Sequence, residues 1–229
     1  MKKKDLTAVI LCGGKGTRYN LKKKKILKPL VQISGIPLIE RIINIFKKNG
    51  IQNFLLLGGF KFNELKTNFK NKNLGVNIKC INTGVNTETG GRLLLAKKYI
   101  NNKIFLMTYG DSLTNFNLTK ALKLKKTNNL VISCFNYKMP YGILIPHKQK
   151  SNLKEIREKN NFYLINAGFY ILDEKIFDFI KSKNESFEKK TIKKMIQSNC
   201  AIALNKISKW HPMDTAGDKL SMESFINEL

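Results

Sequence analysis

The 229-residue sequence predicts one α/β domain, residues 1–229, built on a Rossmann-like, mixed and mostly parallel sheet flanked by helices. Three observations favour this fold. Apolar runs of strand length alternate with amphipathic stretches of helix length through about residue 130. The first of these runs, Thr7–Leu11, is continuous, as expected of a parallel strand that is buried on both faces. Neither an internal repeat nor a Pro/Ser-rich linker divides the chain.

The first half of the chain continues as an alternation of helices and strands. Pro37 suits the first turn of a helix, and Gly50 suits the position just after its end. Between them, apolar residues at helical spacing share one face: Ile39, Ile42, Ile43 and Phe46. The remaining elements of this half are predicted as strands at Phe54–Leu57, Val76–Ile81 and Ile104–Thr108 and as helices at Asn63–Phe69, Gly91–Ile100 and Leu118–Lys126.

The second half has a different pattern, in which apolar runs follow one another with short connections. These runs predict strands in a mixed or antiparallel extension of the sheet, at Leu130–Tyr137, Gly142–Ile145, Leu153–Glu158 and Leu164–Leu172. Two helices are predicted next, near Glu174–Ser182 and Glu188–Ser198. A last strand at Ala201–Leu204 and a terminal helix at Ala216–Leu229 complete the chain.

Positive charge is the extreme feature of the composition: 42 basic residues face 16 acidic ones, a net charge of +26. A polyanion-binding surface and a general compositional bias toward lysine both explain this excess. Because the lysines are scattered over the whole chain, the bias is favoured over a dedicated nucleic-acid surface. In either case the field should attract small anionic ligands such as nucleotides and phosphates.

The apolar and cysteine content exclude several classes of protein. No apolar run approaches the roughly 20 residues that a membrane helix needs. The apolar run at the N-terminus, Ala8–Cys12, is too short for a signal peptide, so a cytoplasmic protein is expected. The four cysteines lie far apart without a C-x-x-C pair, which favours buried reduced thiols over zinc sites or disulfides.

A glycine-rich loop, Cys12–Arg18, follows the first predicted strand. It is not a dinucleotide fingerprint, because Tyr19 stands where the third glycine of that motif belongs. It is not a P-loop either, because Arg18 stands at the position of that motif's second glycine. Glycines let backbone N–H groups approach a phosphate, and Arg18 and Lys28 add positive charge. A plain turn would not need both, so the loop predicts a triphosphate site.

Seven segments, in order across nearly the whole chain, resemble motifs of the sugar-1-phosphate nucleotidyltransferases. Within that family the resemblance is to the glucose-1-phosphate cytidylyltransferases. The segments are GGKGTR, KPLVQISGIPLIERII, NTGVNTETGGRLLLAKKYI, FLMTYGDSLTNFNL, EIREKNN, LINAGFYIL and WHPMDT. The resemblance implies a nucleotide-diphospho-sugar transferase-like fold. It also implies a reaction in which a sugar phosphate attacks the α-phosphorus of a nucleoside triphosphate and pyrophosphate leaves. Such a reaction needs positioning, charge neutralisation and a metal rather than a nucleophilic side chain.

Two aspartates are candidates for a magnesium site. Asp111 comes just after a buried strand, at the edge of an α/β sheet where ligands bind, and a carboxylate there can hold Mg²⁺ together with phosphates. Asp214 is the second carboxylate that the resemblance implies. The structural alternatives are a turn or helix cap for Asp111 and an N-cap of the terminal helix for Asp214. The implied catalytic residues are Arg18, Lys28 and Asp111, and the implied cofactor is Mg²⁺.

The resemblance assigns further site residues to two groups. Nucleotide contacts are implied for Leu11, Gly13, Gly14, Gly16, Thr17, Arg18, Lys28, Thr83, Gly90, Gly91, Arg92 and Asp111. Acceptor contacts are implied for Tyr109, Gly142, Glu158, Lys159 and Asn166. In so basic a chain, a solvated surface position is the alternative for Lys159 and Asn166. Lys22–Lys25 either close over the triphosphate or are only solvated, and the sequence leaves both readings open.

The function that these motifs imply is a Mg²⁺-dependent transfer from a nucleoside triphosphate, with CTP favoured, to a sugar 1-phosphate such as glucose 1-phosphate. Leu27 and the pair Tyr141-Gly142 depart from the motifs of the family, which leaves the acceptor open. The alternatives are another base, a non-sugar phosphate acceptor, or a non-catalytic protein that binds polyanions. Nucleic acid and membrane are disfavoured as partners, and association of identical chains stays open.

Overall fold

A computed structural model describes residues 2–16, 26–139, 141–147, 152–158, 162–215 and 217–229. Its strands are β1 (Thr7–Leu11), β2 (Gln32–Ile33), β3 (Ile36–Pro37), β4 (Asn53–Gly58), β5 (Asn77–Asn82), β6 (Ile104–Tyr109), β7 (Ser112–Thr114), β8 (Leu130–Lys138), β9 (Ile143–Pro146), β10 (Leu153–Arg157), β11 (Phe162–Asp173), β12 (Ile202–Ile207) and β13 (Trp210–Pro212).

The α-helices are α1 (Leu38–Lys48), α2 (Phe62–Lys70), α3 (Thr89–Ala96), α4 (Leu118–Lys125), α5 (Lys193–Gln197) and α6 (Gly217–Ile226). Turns of 3₁₀ helix occur at Lys3–Asp5, Lys28–Leu30, Lys97–Tyr99 and Glu174–Phe179, and a π-helical turn, Phe187–Ile192, leads into α5. No described helix has both the length and the apolar character that a bilayer span requires.

Seven strands form the central sheet in the order β12-β8-β11-β6-β1-β4-β5. Strand β1 runs parallel to β4 and β6, and β4 runs parallel to β5. Strand β11 is antiparallel to both of its neighbours, β6 and β8, and β12 is parallel to β8. The predicted mixed, mostly parallel sheet is therefore confirmed. The carboxyl ends of β1, β4, β5 and β6 lie at one edge.

The two faces of the sheet carry separate apolar clusters, which explains the continuous apolar run of β1. Ala8 and Ile10 belong to the cluster that includes the buried face of α1, whereas Val9 and Leu11 belong to the cluster that includes α3. In the first cluster, the ring of Phe46 packs against those of Phe54, Phe116 and Phe169 at centroid distances of 5.7–6.5 Å. Burial on both faces leaves β1 no solvent side, so polar residues would be costly there.

Several predicted elements needed correction. Strands β9 and β10 pair only with each other, as a separate hairpin, and do not extend the central sheet. The element predicted near Glu174–Ser182 is a 3₁₀ helix, and a π-helical turn opens the next one. The short pairs β2–β3 and β7–β13 were not predicted, because strands of two or three residues show no periodicity. Pairing of β13 with β7 matters for function, since it brings the HPMDT segment beside Asp111.

Candidate active site

A cleft of about 580 Å³ opens at the carboxyl ends of β1 and β6. One wall is the described part of the glycine-rich loop, and the facing wall is the segment from Val85 to Thr89. The cleft is lined by the predicted site residues Leu11, Gly13, Gly14, Gly16, Lys28, Arg92, Tyr109 and Asp111. Thr17, Arg18, Lys22–Lys25 and Lys159 lie outside the residues that the structure describes, so their predicted roles stay predictions.

Lys28 forms hydrogen bonds to both predicted metal ligands, Asp111 and Asp214. Its Nζ atom donates to Asp111 Oδ2 at 3.2 Å and to Asp214 Oδ1 at 2.9 Å. Lys28 is only 8% exposed, whereas the side chains of Asp111 and Asp214 are 38% and 33% exposed. The flanking Leu27 and Pro29 are both buried, so the short 3₁₀ turn holds the ammonium in place. Three residues that are distant in sequence thus form one charged cluster.

The backbone fixes the separation of the two carboxylates. Pairing of β7 with β13 ends just before Asp214, and the N–H of Met213 donates to the carbonyl of Asp111 at 2.8 Å. Met213 itself is fully buried, which anchors this contact in the core. Asp111, which lines the cleft, and Asp214 therefore lie on adjacent segments.

The described capping side chains at the start of α6 are those of Thr215 and Asp218. The N–H of Asp218 donates to Thr215 Oγ1, and the N–H groups of Thr215 and Asp214 donate to Asp218 Oδ2 at 2.7 Å. This reciprocal arrangement is a capping box. Burial alone would raise the pKa of Asp218, but these hydrogen bonds hold it below its ordinary value. Asp214 contributes its backbone N–H to this arrangement, and its carboxylate accepts from Lys28.

The donor set suits a hard cation that is shared with phosphates. Within the described ranges no three His, Cys, Asp or Glu side chains converge, so these residues do not form a complete metal cage. Asp111, on the cleft wall, and Asp214, which shares Lys28 with it, both have partly exposed carboxylates. Mg²⁺ in proteins is typically held by one or two carboxylates, with substrate phosphates and water supplying the other ligands. The residues present therefore fit Mg²⁺ as part of a metal–phosphate complex.

Three residues with predicted nucleotide contacts, Thr83, Gly90 and Gly91, are buried and take part in packing, and their nucleotide contacts stay predictions. Gly90 and Gly91 are buried against the segment 183–187, and a Cβ on Gly91 would lie 2.1 Å from the carbonyl oxygen of Lys183. The N–H of Gly91 already donates to the carbonyl of Glu185 at 3.2 Å. Thr83 is buried as well, and its hydroxyl donates to the Gly58 carbonyl at 2.6 Å. The close approach of segment 183–187 to the start of α3 leaves room only for glycine at positions 90 and 91.

Arg92 lines the cleft but does not extend into it. Its guanidinium donates to the carbonyls of Gly13, Gly58 and Gly84 and to the hydroxyl of Thr83, at 2.6–3.1 Å. The predicted nucleotide contact of Arg92 stays a prediction, and the residue does line the cleft. Sequence reasoning recognised the residue but could not foresee that its partners would be backbone carbonyls from three separate segments.

The predicted acceptor residues are divided between two places. Tyr109 lines the cleft, and its hydroxyl lies 3.3 Å from that of Tyr170, which also accepts from Asn166 Nδ2 at 2.6 Å. Gly142 and Glu158 adjoin each other at the separate hairpin, and neither lines this cleft. Burial raises the pKa of Tyr170, which keeps its phenol neutral. Tyr170 is not among the predicted site residues, because its position in an apolar strand indicates a core residue.

Cys12, at the start of the glycine-rich loop, provides a test of burial at the base of the cleft. The four cysteines are free: Cys12 and Cys134 are buried as predicted, whereas Cys80 and Cys200 are only half-buried. Burial raises the pKa of the Cys12 thiol well above its ordinary value.

Since the thiolate is the reactive form, we expect iodoacetamide at about pH 8 to label Cys200 in the folded protein and to spare Cys12, as read by peptide mass spectrometry. Labelling of Cys12 at its unfolded rate would contradict the structure.

Comparison with known proteins places this site in a family. The family model for "Nucleotidyl transferase" matches residues 7–216. A relative in Bacillus subtilis (strain 168), "Probable glucose-1-phosphate cytidylyltransferase", is 31% identical and covers 97% of each chain. A Campylobacter jejuni relative, D-glycero-alpha-D-manno-heptose 1-phosphate guanylyltransferase, is 33% identical over 80% of this chain and 83% of its own.

Solved structures show the same architecture. HddC from Yersinia pseudotuberculosis, complexed with GMP-PN, superposes with a TM-score of 0.79 at 25% identity, covering 96% of this chain and 99% of that one. The inositol-1-phosphate CTP transferase of T. maritima shares the fold at a TM-score of 0.76 and 15% identity, covering 100% of this chain and 97% of that one. The resemblance to the sugar-1-phosphate nucleotidyltransferases is therefore confirmed, and the chain belongs to the nucleotidyl transferase family of enzymes.

Proposed function

We propose that the protein transfers the nucleotidyl group of a nucleoside triphosphate, with CTP as the first candidate, to a sugar 1-phosphate of the glucose 1-phosphate type, in a Mg²⁺-dependent reaction that releases pyrophosphate. The observation that carries this proposal is the cluster of Lys28, Asp111 and Asp214 at the edge of a cleft whose opposite end is a glycine-rich loop. A reaction between phosphates requires fixed positive charge, which Lys28 supplies and which Mg²⁺ held by the two carboxylates would increase.

The chemistry follows from these residues. An oxygen of the acceptor phosphate forms a bond to the α-phosphorus, and the bond from that phosphorus to the bridging oxygen of pyrophosphate breaks. The attacking oxygen is already anionic, so no side chain has to remove a proton. Lys28 places a fixed positive charge beside the phosphates, and Asp111 and Asp214 hold its orientation. Mg²⁺, when bound by these carboxylates, supplies further neutralisation of phosphate charge.

The base is proposed as cytosine because the NTETGGRL segment resembles that of the cytidylyltransferases and because cytidylyltransferases are among the full-length relatives. Guanine is the second candidate for the base. It is favoured by the 33% identity to a heptose 1-phosphate guanylyltransferase and by the likeness to a structure complexed with GMP-PN. Both candidates use the same cluster, so the choice of base leaves the proposed chemistry unchanged.

A screen of the four ribonucleoside triphosphates and dTTP against a panel of sugar 1-phosphates tests this proposal. We expect pyrophosphate release with Mg²⁺, fastest with CTP and glucose 1-phosphate, and no release with EDTA. Inositol 1-phosphate in the panel tests a non-sugar acceptor. If no pair reacts in the presence of Mg²⁺, the proposed activity is wrong. RNA binding that stays tight at about 0.15 M salt would then favour a polyanion-binding protein.

A further inference from the structure

The hairpin of β9 and β10 has one face that is entirely apolar. Leu144 pairs with Ile156 across the two strands, and Pro146 pairs with Leu153. Residues that pair directly, and residues two apart in one strand, lie on the same face, so these four side chains share a face. All four are exposed, Leu144 by 63% and Leu153 and Ile156 by 53% each. An apolar face therefore lies on the solvent side of the hairpin.

The hairpin also lacks the contacts that usually stabilise such a unit. Among the described strands, β9 and β10 form a ladder only with each other. An isolated two-stranded hairpin is only marginally stable in water, and a further strand or packing of its apolar face normally supplies the missing stability. Each of the two strands also keeps one edge on which no described strand pairs. A partner that covers the apolar face would therefore stabilise the hairpin.

The ends of β8 and β11 extend this apolar surface. After Phe135, β8 pairs only with β11, and before Phe169, β11 pairs only with β8, so the two ends form a two-stranded ribbon. Residues 139–142 and 158–161 connect this ribbon to the hairpin. We call the described part of residues 136–164 the apolar region. It contains eight of the sixteen large apolar residues that are exposed in the described structure: Tyr137, Tyr141, Leu144, Leu153, Ile156, Phe162, Tyr163 and Leu164.

The exposed area of the apolar region matches what a stable interface between two proteins needs. The eight residues are 39–76% exposed. With about 150–250 Å² for each aromatic side chain and somewhat less for leucine and isoleucine, they expose roughly 800 Å² together. A standard protein–protein interface takes about 800 Å² from each partner. Four of the eight are tyrosine or phenylalanine, and aromatic residues are enriched in interfaces.

Charge indicates which partner fits this surface. The described hairpin residues, 141–147 and 152–158, include two basic and two acidic side chains, whereas the whole chain carries a net charge of +26. Arg157 is paired within the hairpin, with its Nε atom 2.6 Å from Glu155 Oε1. Lys148 and Lys150, in the connection between β9 and β10, lie outside the described residues. An acidic partner would be drawn to the lysine-rich remainder of the surface, whereas a second cationic chain approaches most easily where the local charge is balanced.

We propose that the apolar region is the interface through which two copies of this chain form a two-fold symmetric dimer. In such a dimer the same surface of each copy meets its counterpart, so two uncharged hairpin faces cover each other. The proposal does not depend on the proposed function, because the mass of the assembly is measured without substrate.

Sedimentation of the full chain at tens of micromolar tests this proposal. For wild type we expect twice the chain mass of 26.3 kDa. Leu144→Glu places a charge within the apolar face and should raise the dissociation constant of the dimer by about 100-fold, the loss typical of a central interface residue. Ile156→Glu, on the paired strand, should have the same effect. Because both residues are exposed in the single chain, the circular dichroism spectrum should keep its wild-type shape.

Leu220→Glu is the matched control, since Leu220 is 72% exposed on α6, outside the apolar region. This variant should keep the wild-type dissociation constant. A wild-type chain that is monomeric at these concentrations would overturn the proposal. A dimer that persists in both Leu144→Glu and Ile156→Glu would overturn it as well, because the copies would then meet elsewhere.

The response to salt distinguishes a second copy from a membrane as the occupant. Salt screens the repulsion between two cationic chains, so the dimer should tighten between about 0.05 and 0.5 M salt. A dimer that dissociates over this range would depend on charged groups and would contradict the proposal. Vesicles that contain phosphatidylserine provide the alternative partner. A wild-type monomer that floats with these vesicles, together with a Leu144→Glu variant that does not, would assign the face to lipid and overturn the dimer.

Discussion

Replacing Asp111 by asparagine is expected to lower the rate of pyrophosphate release by about 10²–10³-fold, the loss typical of removing one preorganised electrostatic group from an active site. The amide has nearly the same shape, but it carries no charge and binds Mg²⁺ poorly. It also leaves the Lys28 ammonium with one carboxylate in place of two. The rate at saturating substrates, followed with a coupled pyrophosphate assay over a range of Mg²⁺ concentrations, measures the effect.

Asp173→Asn is the matched control for this variant. Asp173, like Asp111, pairs with a buried lysine, at 2.8 Å, but it lies at the far end of β11. Its replacement should reduce stability and leave the rate per folded molecule unchanged. Activity of Asp111→Asn within threefold of wild type at all Mg²⁺ concentrations would remove Asp111 from the proposed metal site.

Lys28→Met is expected to have an effect of similar size, about 10²–10³-fold on the rate, for a different reason. The variant removes the only described cation between Asp111 and Asp214, so two carboxylates face the incoming phosphates without compensation. Methionine fits the space of the lysine stem, so the surrounding core should stay packed. The measurement is again the rate of pyrophosphate release at saturating substrates.

The response of thermal stability to Mg²⁺ gives a second readout for Lys28→Met that needs no turnover. With the ammonium gone, the carboxylates repel each other, and a divalent cation should relieve that repulsion. The melting temperature of Lys28→Met should therefore rise more with added Mg²⁺ than that of wild type. Lys125→Met, which also removes a buried lysine from an aspartate, should lose stability but show the wild-type response. Equal responses in all three proteins would contradict a metal site at Asp111 and Asp214.

The candidate site could be predicted in part because some of its residues carry local signals. The glycines of the loop after β1 and the position of Asp111 after β6 follow from strand ends that the sequence pattern marks clearly. Asp214 was harder to place, since an aspartate before a helix is usually a cap. The pairing of β13 with β7 brings Asp214 near Asp111, and Thr215 and Asp218 supply capping side chains for α6.

The tertiary surroundings of several predicted site residues could not be read from the sequence, for one physical reason. Arg92, Gly90 and Gly91 stand in a motif at a helix start, where backbone N–H groups commonly bind anions. Whether those N–H groups are free depends on which distant segment packs against the start of the helix. In this fold, segment 183–187 packs there. Gly142 and Glu158 were predicted as acceptor contacts, but the hairpin that carries them pairs apart from the central sheet. Their order along the chain contained no information on that separation.

The sequence by itself determined the α/β class, the strand and helix order, the glycine-rich loop and the family, because periodicity, turn residues and ordered motifs are local properties. Only the tertiary structure decided that Lys28 bridges Asp111 and Asp214, whose positions differ by 103 residues (214 − 111). It also decided that the Arg92 guanidinium donates to three backbone carbonyls. The reason is that burial and long-range hydrogen bonds assign a charged side chain its partner, and both depend on segments that meet only when the sheet has formed.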